Sequence, residues 1–346
     1  MKNFENKIIK NFENSLLNYD QSASSKHWNY NNKKKIKLFK VNNLKNFRNN
    51  NLSYGLDDQF YSKNEMKINF EKLIKECGRS FVTKYLNKKN IGNVKDYFIY
   101  NGKIVDKNEI FHIKYLHEIS KKIKFHKKNF ICEIGAGYCS FASKIIQKYN
   151  CKYIVIDLPE ANFLSAYYLK KKFTKKKILL SVDIQNQKIT AHQIKKYDIF
   201  ILNPWDDFPS IKVDFFINTR SMMEMDYKII SYYFKLINNK ISKKGYFLNI
   251  NRYYKDTVGY PIELHNYPYD DKWKVILSKT SWQQNHIHFL LTQRSEKKTK
   301  NLSKELNRIK NISYSLIKKD PRLIRRLLPN FIYKNYKLLK HSFYRK

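Results

Sequence analysis

The sequence predicts an α/β fold, a mostly parallel nucleoside-binding sheet covered by helices and closed by an antiparallel hairpin. Three observations predict it. A short apolar strand over 130–134 runs into a tight turn carrying Gly135 and Gly137. After a helical run, a second apolar strand over 153–156 ends on Asp157, 22 positions beyond Gly135 and close to the roughly 20-residue spacing of a nucleoside-binding βαβ unit. From there strand-like and helix-like runs alternate to about 294, where the last two strands read as a hairpin.

The 346 residues accommodate one large domain or a core with appendages, and 42% hydrophobic content is enough to bury a core. A formal charge of +40, from 69 basic against 29 acidic side chains, ordinarily points to nucleic acid or an anionic membrane. Here the basic residues are mostly Lys, enriched together with Asn, Ile, Tyr and Phe along the whole chain, so a compositional bias explains the charge as readily as a selected patch. Nucleic acid is not the expected partner. Cys77, Cys132, Cys139 and Cys151 have no C-x-x-C spacing and read as buried reduced thiols, with no zinc site. The first residues lack the uninterrupted apolar core of a signal peptide, and no run approaches a membrane span, so the expected location is cytoplasmic.

In chain order, residues 1–65 are rich in Asn and Lys and read as a loosely packed basic arm. Over 66–128 a helical cap is expected. Phe70, Leu73, Ile74, Cys77, Phe81, Val82 and Tyr85 recur at three and four, and Ile110, Ile113, Leu116, Ile119 and Ile123 repeat the pattern behind Asn108 as a cap. The core spans 129–294. Pro159 starts a helix; strands are expected over 178–182, 198–203, 213–219 and 245–251, then a hairpin of 273–278 against 286–292. The remainder, 295–346, is a basic tail. Leu302, Leu306, Ile309, Ile312 and Leu316 form one apolar stripe, Pro321 interrupts it, and Leu323, Ile324, Leu327 and Leu328 resume it beside Arg322, Arg325 and Arg326. Such a helix suits either an anionic membrane surface, giving peripheral contact at the inner face of the membrane, or packing back onto the core.

The glycines let backbone pass close under a ligand, and Asp157 can accept hydrogen bonds from ribose hydroxyls. A dinucleotide site calls for G-x-G-x-x-G, and Ser140 occupies the third position. Glu133 instead stands two residues before the first glycine. Acid, x, Gly, x, Gly followed by an acid ending the next strand resembles motif I and its partner acid in the class I S-adenosylmethionine-dependent methyltransferases, although Cys139 replaces that family's usual third glycine. The resemblance implies a Rossmann-like sheet with S-adenosyl-L-methionine as cofactor. It places Glu133 at the methionine amino end, Gly135 and Gly137 beneath the ligand, and Asp157 with Leu158 at the ribose.

Asn203-Pro204-Trp205 resembles the Asn/Asp-Pro-Pro-aromatic motif of nucleic-acid amino-methyltransferases, but the second proline is missing and another strand begins within about ten residues. We therefore read 213–219 as the core's fourth strand, 178–182 as an added edge strand, and Asn203 and Trp205 as cofactor contacts after the third. Asn218 to Met225 then leaves the carboxyl edge of the sheet, where ligands of open α/β sheets bind. The blocks Asn218-Thr219-Arg220-Ser221-Met222-Met223-Glu224-Met225, Asn251-Arg252-Tyr253, Tyr267-Pro268-Tyr269-Asp270-Asp271-Lys272-Trp273 and Gln284-Asn285-His286-Ile287-His288 resemble those of the putative sugar O-methyltransferase family of bacterial surface-polysaccharide gene clusters. That resemblance covers about 70–294. It implies a sugar or glycan acceptor, free or carried on a nucleotide or lipid, with Asn218 at the cofactor.

Methyl transfer to a hydroxyl needs alignment and a base. Glu224 is the first candidate and His265 the second, since an ordinary histidine pKa of about 6.5 suits the task. Arg220 and Arg252 suit an acceptor carboxylate or phosphate, while Tyr253, Tyr267 and Trp273 offer flat faces to a sugar ring and Asp270 is a further acceptor contact. Asp206-Asp207 has the chemistry for a divalent ion, but nothing places a third ligand beside it. His286 and His288 share a strand face and read as solvent-facing or structural rather than as a metal pair. The rival readings are a nucleic-acid methyltransferase and a non-catalytic protein of the same fold serving as a scaffold or membrane adaptor.

Overall fold

The computed structural model describes residues 2–25, 28–29, 38–50, 52–53, 62–184, 188–256 and 258–319. Strand β1 (Phe130–Ile134) pairs in parallel with β2 (Lys152–Ile156) on one side and, on the other, with the strand over Val213–Thr219. Side chains along β2 alternate between two apolar layers: Tyr153 and Val155 point into one, Ile154 and Ile156 into the other. A strand buried on both faces must be apolar throughout, and that is why these segments read as continuous hydrophobic runs.

In chain order the remaining main-sheet strands are β3 (Ile178–Leu180), β4 (Ile199–Leu202), β5 (Val213–Thr219), β6 (Ile241–Arg252), β7 (Trp273–Ser281) and β8 (Gln284–Arg294). Their order across the sheet is β7-β8-β6-β5-β1-β2-β4-β3. The strands from β3 to β6 run parallel, whereas β8 is antiparallel to β6 and β7 to β8. This is the mostly parallel, Rossmann-like sheet closed by an antiparallel hairpin that the sequence predicts. Residues 213–219 lie beside β1 and the short 178–180 strand is the added edge, so Asn203 falls at the end of the third core strand.

Helices cover both faces. On one lie α1 (Lys2–Leu17), α2 (Lys63–Cys77), α3 (Arg79–Tyr85), α4 (Lys107–Ser120), α5 (Ser140–Tyr149) and α6 (Pro159–Lys172); on the other lie α7 (Tyr227–Lys240) and α8 (Asn301–Lys319). Within the segment expected to be a loose arm, α1 buries Ile8 and Phe12, the latter 5.0 Å from the Phe163 ring of α6. The single helix expected through Phe70 and Tyr85 is two, broken at Gly78, whose φ of +83° interrupts the ladder. The cap of α4 is Asp106, which accepts from the Glu109 N–H at 3.0 Å, not Asn108. Over 301–319 the apolar stripe of the tail packs onto the core, with Leu302 and Ile309 buried. Its second half, beyond Pro321, lies outside the described residues.

Two buried ion pairs fix α4. Lys144 of α5 meets Glu109 at 2.5 Å, both side chains almost wholly buried, and Arg48 meets Asp106 at 3.0 Å. Removing one partner of such a pair strands a charge, at a cost of about 3–5 kcal/mol. All four cysteines are buried and free. No helix among the described residues is long and apolar enough to cross a membrane.

Candidate active site

At the carboxyl edge of the sheet, β1 delivers Glu133, β2 delivers Asp157 and β5 delivers Thr219 to one cleft. Gly135 and Gly137 take φ of +70° and +58°. A Cβ on Gly135 would sit 1.9 Å from Ser221 Oγ, so glycine is required where the segment after β5 crosses the turn. Cys139 takes the left-handed conformation too, φ +68° and ψ 29°, and opens α5. The turn has therefore kept the backbone of a third glycine while carrying a buried thiol.

Asp157 braces the turn from below. Its Oδ2 accepts from the Gly137 N–H and its Oδ1 from the Leu158 N–H, each at 2.8 Å. A carboxylate has about four acceptor positions, so two remain for a ligand. Asp157 is only half-buried, yet protein surrounds it within the cleft, and that burial pushes its pKa up to about 7 against the pull of the two N–H groups. Glu133 accepts from Tyr153 OH at 2.8 Å; burial chiefly, with the Asp157 charge adding to it, raises its pKa to about 8. Near neutrality Glu133 favours the proton and Asp157 is close to balance, and a cation beside them would draw both toward the ionised form.

The opposite wall comes from distant parts of the chain. Ser24, Ser25 and Trp28 line it, as do Asn108 and His112 of α4. Asn108 donates to Tyr138 OH at 2.8 Å, and His112 Nδ1 lies 3.0 Å from Ser140 Oγ. Trp28 Nε1 donates to Glu224 Oε2 at 3.0 Å, while Lys255 Nζ donates to Glu224 Oε1. The enclosed space is about 150 Å³, against roughly 10–15 Å³ for one water by the same measure, so the cleft is ligand-sized.

Of the residues singled out from the sequence, Glu133, Gly135, Gly137, Asp157, Leu158, Arg220 and Glu224 line this cleft. The others are placed elsewhere. Asn203 turns its amide into the protein, donating to Ser15 Oγ at 2.9 Å and Ser181 Oγ at 3.1 Å, and Trp205 packs on Tyr19; Pro204 between them lines the cleft instead. Asn218 is fully buried behind the wall, donating to the Ile134 carbonyl at 2.8 Å and accepting from the Met222 N–H and the Asn251 amide. Tyr253 is buried against Thr280 and His288, and Tyr267 packs on Phe234 in the core. Asp270 pairs with Arg294 at 2.5 Å near the base of the hairpin. Arg252, at the end of β6, is not among the lining side chains.

His265, the second base expected from the sequence, lies apart from Glu224. It packs against Tyr314 of α8, 3.7 Å from Glu263, outside the cleft, and burial lowers its pKa. His288 is buried between Tyr253 OH at 3.0 Å and Ser278 Oγ at 2.7 Å, and Ser278 also donates to Glu305 of α8. Burial depresses His288 to a pKa of about 3, so it stays neutral and serves to dock the tail helix. Asp206 accepts from the Asn203 N–H and Ser181, and among the described residues no three metal-ligating side chains converge.

Sequence reasoning missed Trp28, Asn108, His112, Tyr138 and Ser140. Tyr138 directly follows Gly137 and Ser140 stands three positions after it, and that nearness was the available signal. Trp28 stands in an aperiodic Asn- and Lys-rich segment that offers none.

No family model and no curated protein matches the sequence. Among solved structures, the chain is similar to the pyocyanin biosynthetic protein PhzM, with 10% identity, 54% of each chain covered and a TM-score of 0.35; the match thus spans about half of PhzM. It is also similar to M. capricolum TrmK in complex with S-adenosyl-homocysteine, with 11% identity, 64% of this chain and 92% of that one covered, and a TM-score of 0.38. A third is the mitomycin 7-O-methyltransferase MmcR, with 11% identity, coverage of 54% and 56%, and a TM-score of 0.36. At these scores the likeness adds nothing to the chemistry of the cleft, which rests on the residues lining it.

Proposed function

We propose that this chain is an S-adenosyl-L-methionine-dependent O-methyltransferase acting on a hydroxyl of a sugar or glycan intermediate, in the assembly of a bacterial surface polysaccharide. One observation supports it above the rest: two adjacent parallel strands end on Glu133 and Asp157, either side of a positive-φ glycine turn, inside one ligand-sized cleft. S-adenosyl-L-methionine fits these residues chemically. Asp157 keeps acceptor positions for ribose hydroxyls, and Glu133 is a buried acid that a neighbouring cation would ionise. When bound, the cofactor supplies a methyl group already activated for in-line displacement.

The residues of the chain then orient the acceptor and take its proton. Glu224 is the base in this reading, because it is the carboxylate on the wall that follows β5. Trp28 and Lys255 hold its two oxygens in place. The sugar class is carried by the resemblance of the blocks beginning at Asn218, Asn251, Tyr267 and Gln284.

Calorimetry with S-adenosylhomocysteine, followed by transfer of labelled methyl to a panel of sugars, nucleotide sugars and nucleic acids, tests the proposal. We expect one binding site, lost in Asp157→Ala. Glu224→Gln should bind as wild type and lose at least a hundredfold in turnover. A folded wild-type protein that binds no S-adenosylhomocysteine overturns the enzyme reading, and label in RNA or DNA overturns the sugar.

A further inference from the structure

The acids and cations of this edge are sorted by position. In spatial order the strands β2, β1, β5 and β6 present Asp157, Glu133, Arg220 and Arg252, so the charge runs from negative to positive across the sheet. The negative half suits a cationic cofactor; the positive half does not. We infer that the stretch of the cleft walled by Thr219 and Arg220, with Arg252 and Lys255 behind it, binds an anionic group, a phosphate or a carboxylate, carried by the acceptor. The word acceptor rests on the proposed function; the anion site does not.

Four observations carry this. Arg220 lines the cleft from a left-handed backbone with φ of +61°, held by its N–H donating to the Ile250 carbonyl at 2.7 Å. A non-glycine residue in that region is disfavoured and persists where surroundings impose it, a pattern that clusters at ligand sites. Beside it, the hydroxyl of Thr219 is buried and has no hydrogen-bond partner among the described residues. A buried donor of that kind calls for a partner. Glu224 holds Lys255 directly, and Lys255 sits close enough to Arg252 and Arg220 for both to disfavour its charge, burial being the larger cause. Lys255, Arg252 and Arg220 thus lie near one another, with Lys255 held by Glu224. Guanidinium groups match the oxygens of phosphate and carboxylate through paired N–H donors.

Titration calorimetry on the full chain with inorganic phosphate, glucose 1-phosphate, glucuronate and glucose tests it. Glucose 1-phosphate or glucuronate should bind saturably where glucose does not, and the tighter of the two identifies the group as phosphate or carboxylate. Arg220→Met and Lys255→Met should each weaken the anion at least tenfold, with an unchanged far-UV circular dichroism melt. Lys243→Met, at a side chain 88% exposed, should leave it as wild type and so separates a built site from the general +40 charge. Failure of every anion to saturate overturns the inference. So does equal weakening in Lys243→Met, or retention of full affinity in both cleft variants. S-adenosylhomocysteine binding, measured in parallel, bears on the proposed function alone.

Discussion

Where β1 and β2 end, the polar side chains face the cleft; where β5 and β6 end, most of them face one another. Glu133 and Asp157 line the ligand space with raised pKa values. Asn218, Asn249 and Asn251 are wholly buried and spend their amides internally, on the Ile134 carbonyl, the N–H groups of Met222 and Met223, Tyr269 OH and each other. The second set shapes the wall that bears Arg220 and Glu224 without lining it. Polar residues at strand ends thus do two jobs, holding ligand and holding the loop that meets ligand. Residue type does not tell them apart; the partners do.

Substitutions should separate the two halves by readout. Asp157→Ala carries the largest expected effect, a loss of about a hundredfold in S-adenosylhomocysteine affinity, equivalent to about 2.7 kcal/mol. Calorimetry measures it. The Gly137 and Leu158 N–H groups that lose their acceptor belong to residues lining the cleft, where water can replace it, so the melting temperature should move less than in Asn218→Ala. Asn218→Ala inverts the pattern: it strands the Ile134 carbonyl and the Met222 N–H, for about 2 kcal/mol of stability by urea unfolding, while the folded fraction still binds. Equal loss of affinity in both variants would erase the distinction.

The pH dependence sharpens it further. A cationic ligand favours the ionised acids, so binding should release protons and affinity should rise about tenfold between pH 6 and 8.5. In the ligand-free protein the sign is opposite. Folded-state pKa values raised to about 7 and 8 mean that the native state binds more protons than the unfolded chain. Stability from these groups is therefore intact below about pH 4 and falls as pH rises toward 8. Glu133→Gln should flatten the upper part of both curves. The smallest effect is at Cys139: Cys139→Gly relieves a left-handed backbone but loses a buried thiol, for a net change within about 1 kcal/mol, while Cys139→Ala keeps the strain and should be the less stable of the two.

Much of the fold was legible because each core strand had to be apolar on both faces and each βα turn had to carry particular backbone angles. The two glycines, Asp157 and the placement of 213–219 beside β1 followed from that. The break at Gly78 was missed because helical spacing on either side of a glycine stays in phase. His265, Tyr253 and Tyr267 fall within or beside blocks read as acceptor contacts, yet the chain turns them toward α8 and the core, a choice made by tertiary packing. Trp28 and His112 reach the cleft only through the packing of segments far from the core in sequence, and no local pattern encodes such a meeting.

The wall that carries Trp28 also has a consequence in time. Lining residues extend from Ala23 to Tyr233, so one side of the cleft leaves the ribosome about 210 residues before the other. At roughly 5–20 residues per second that is a delay of roughly 10–40 s. Through most of that interval Trp28 lacks the Glu224 carboxylate to which it donates in the folded chain.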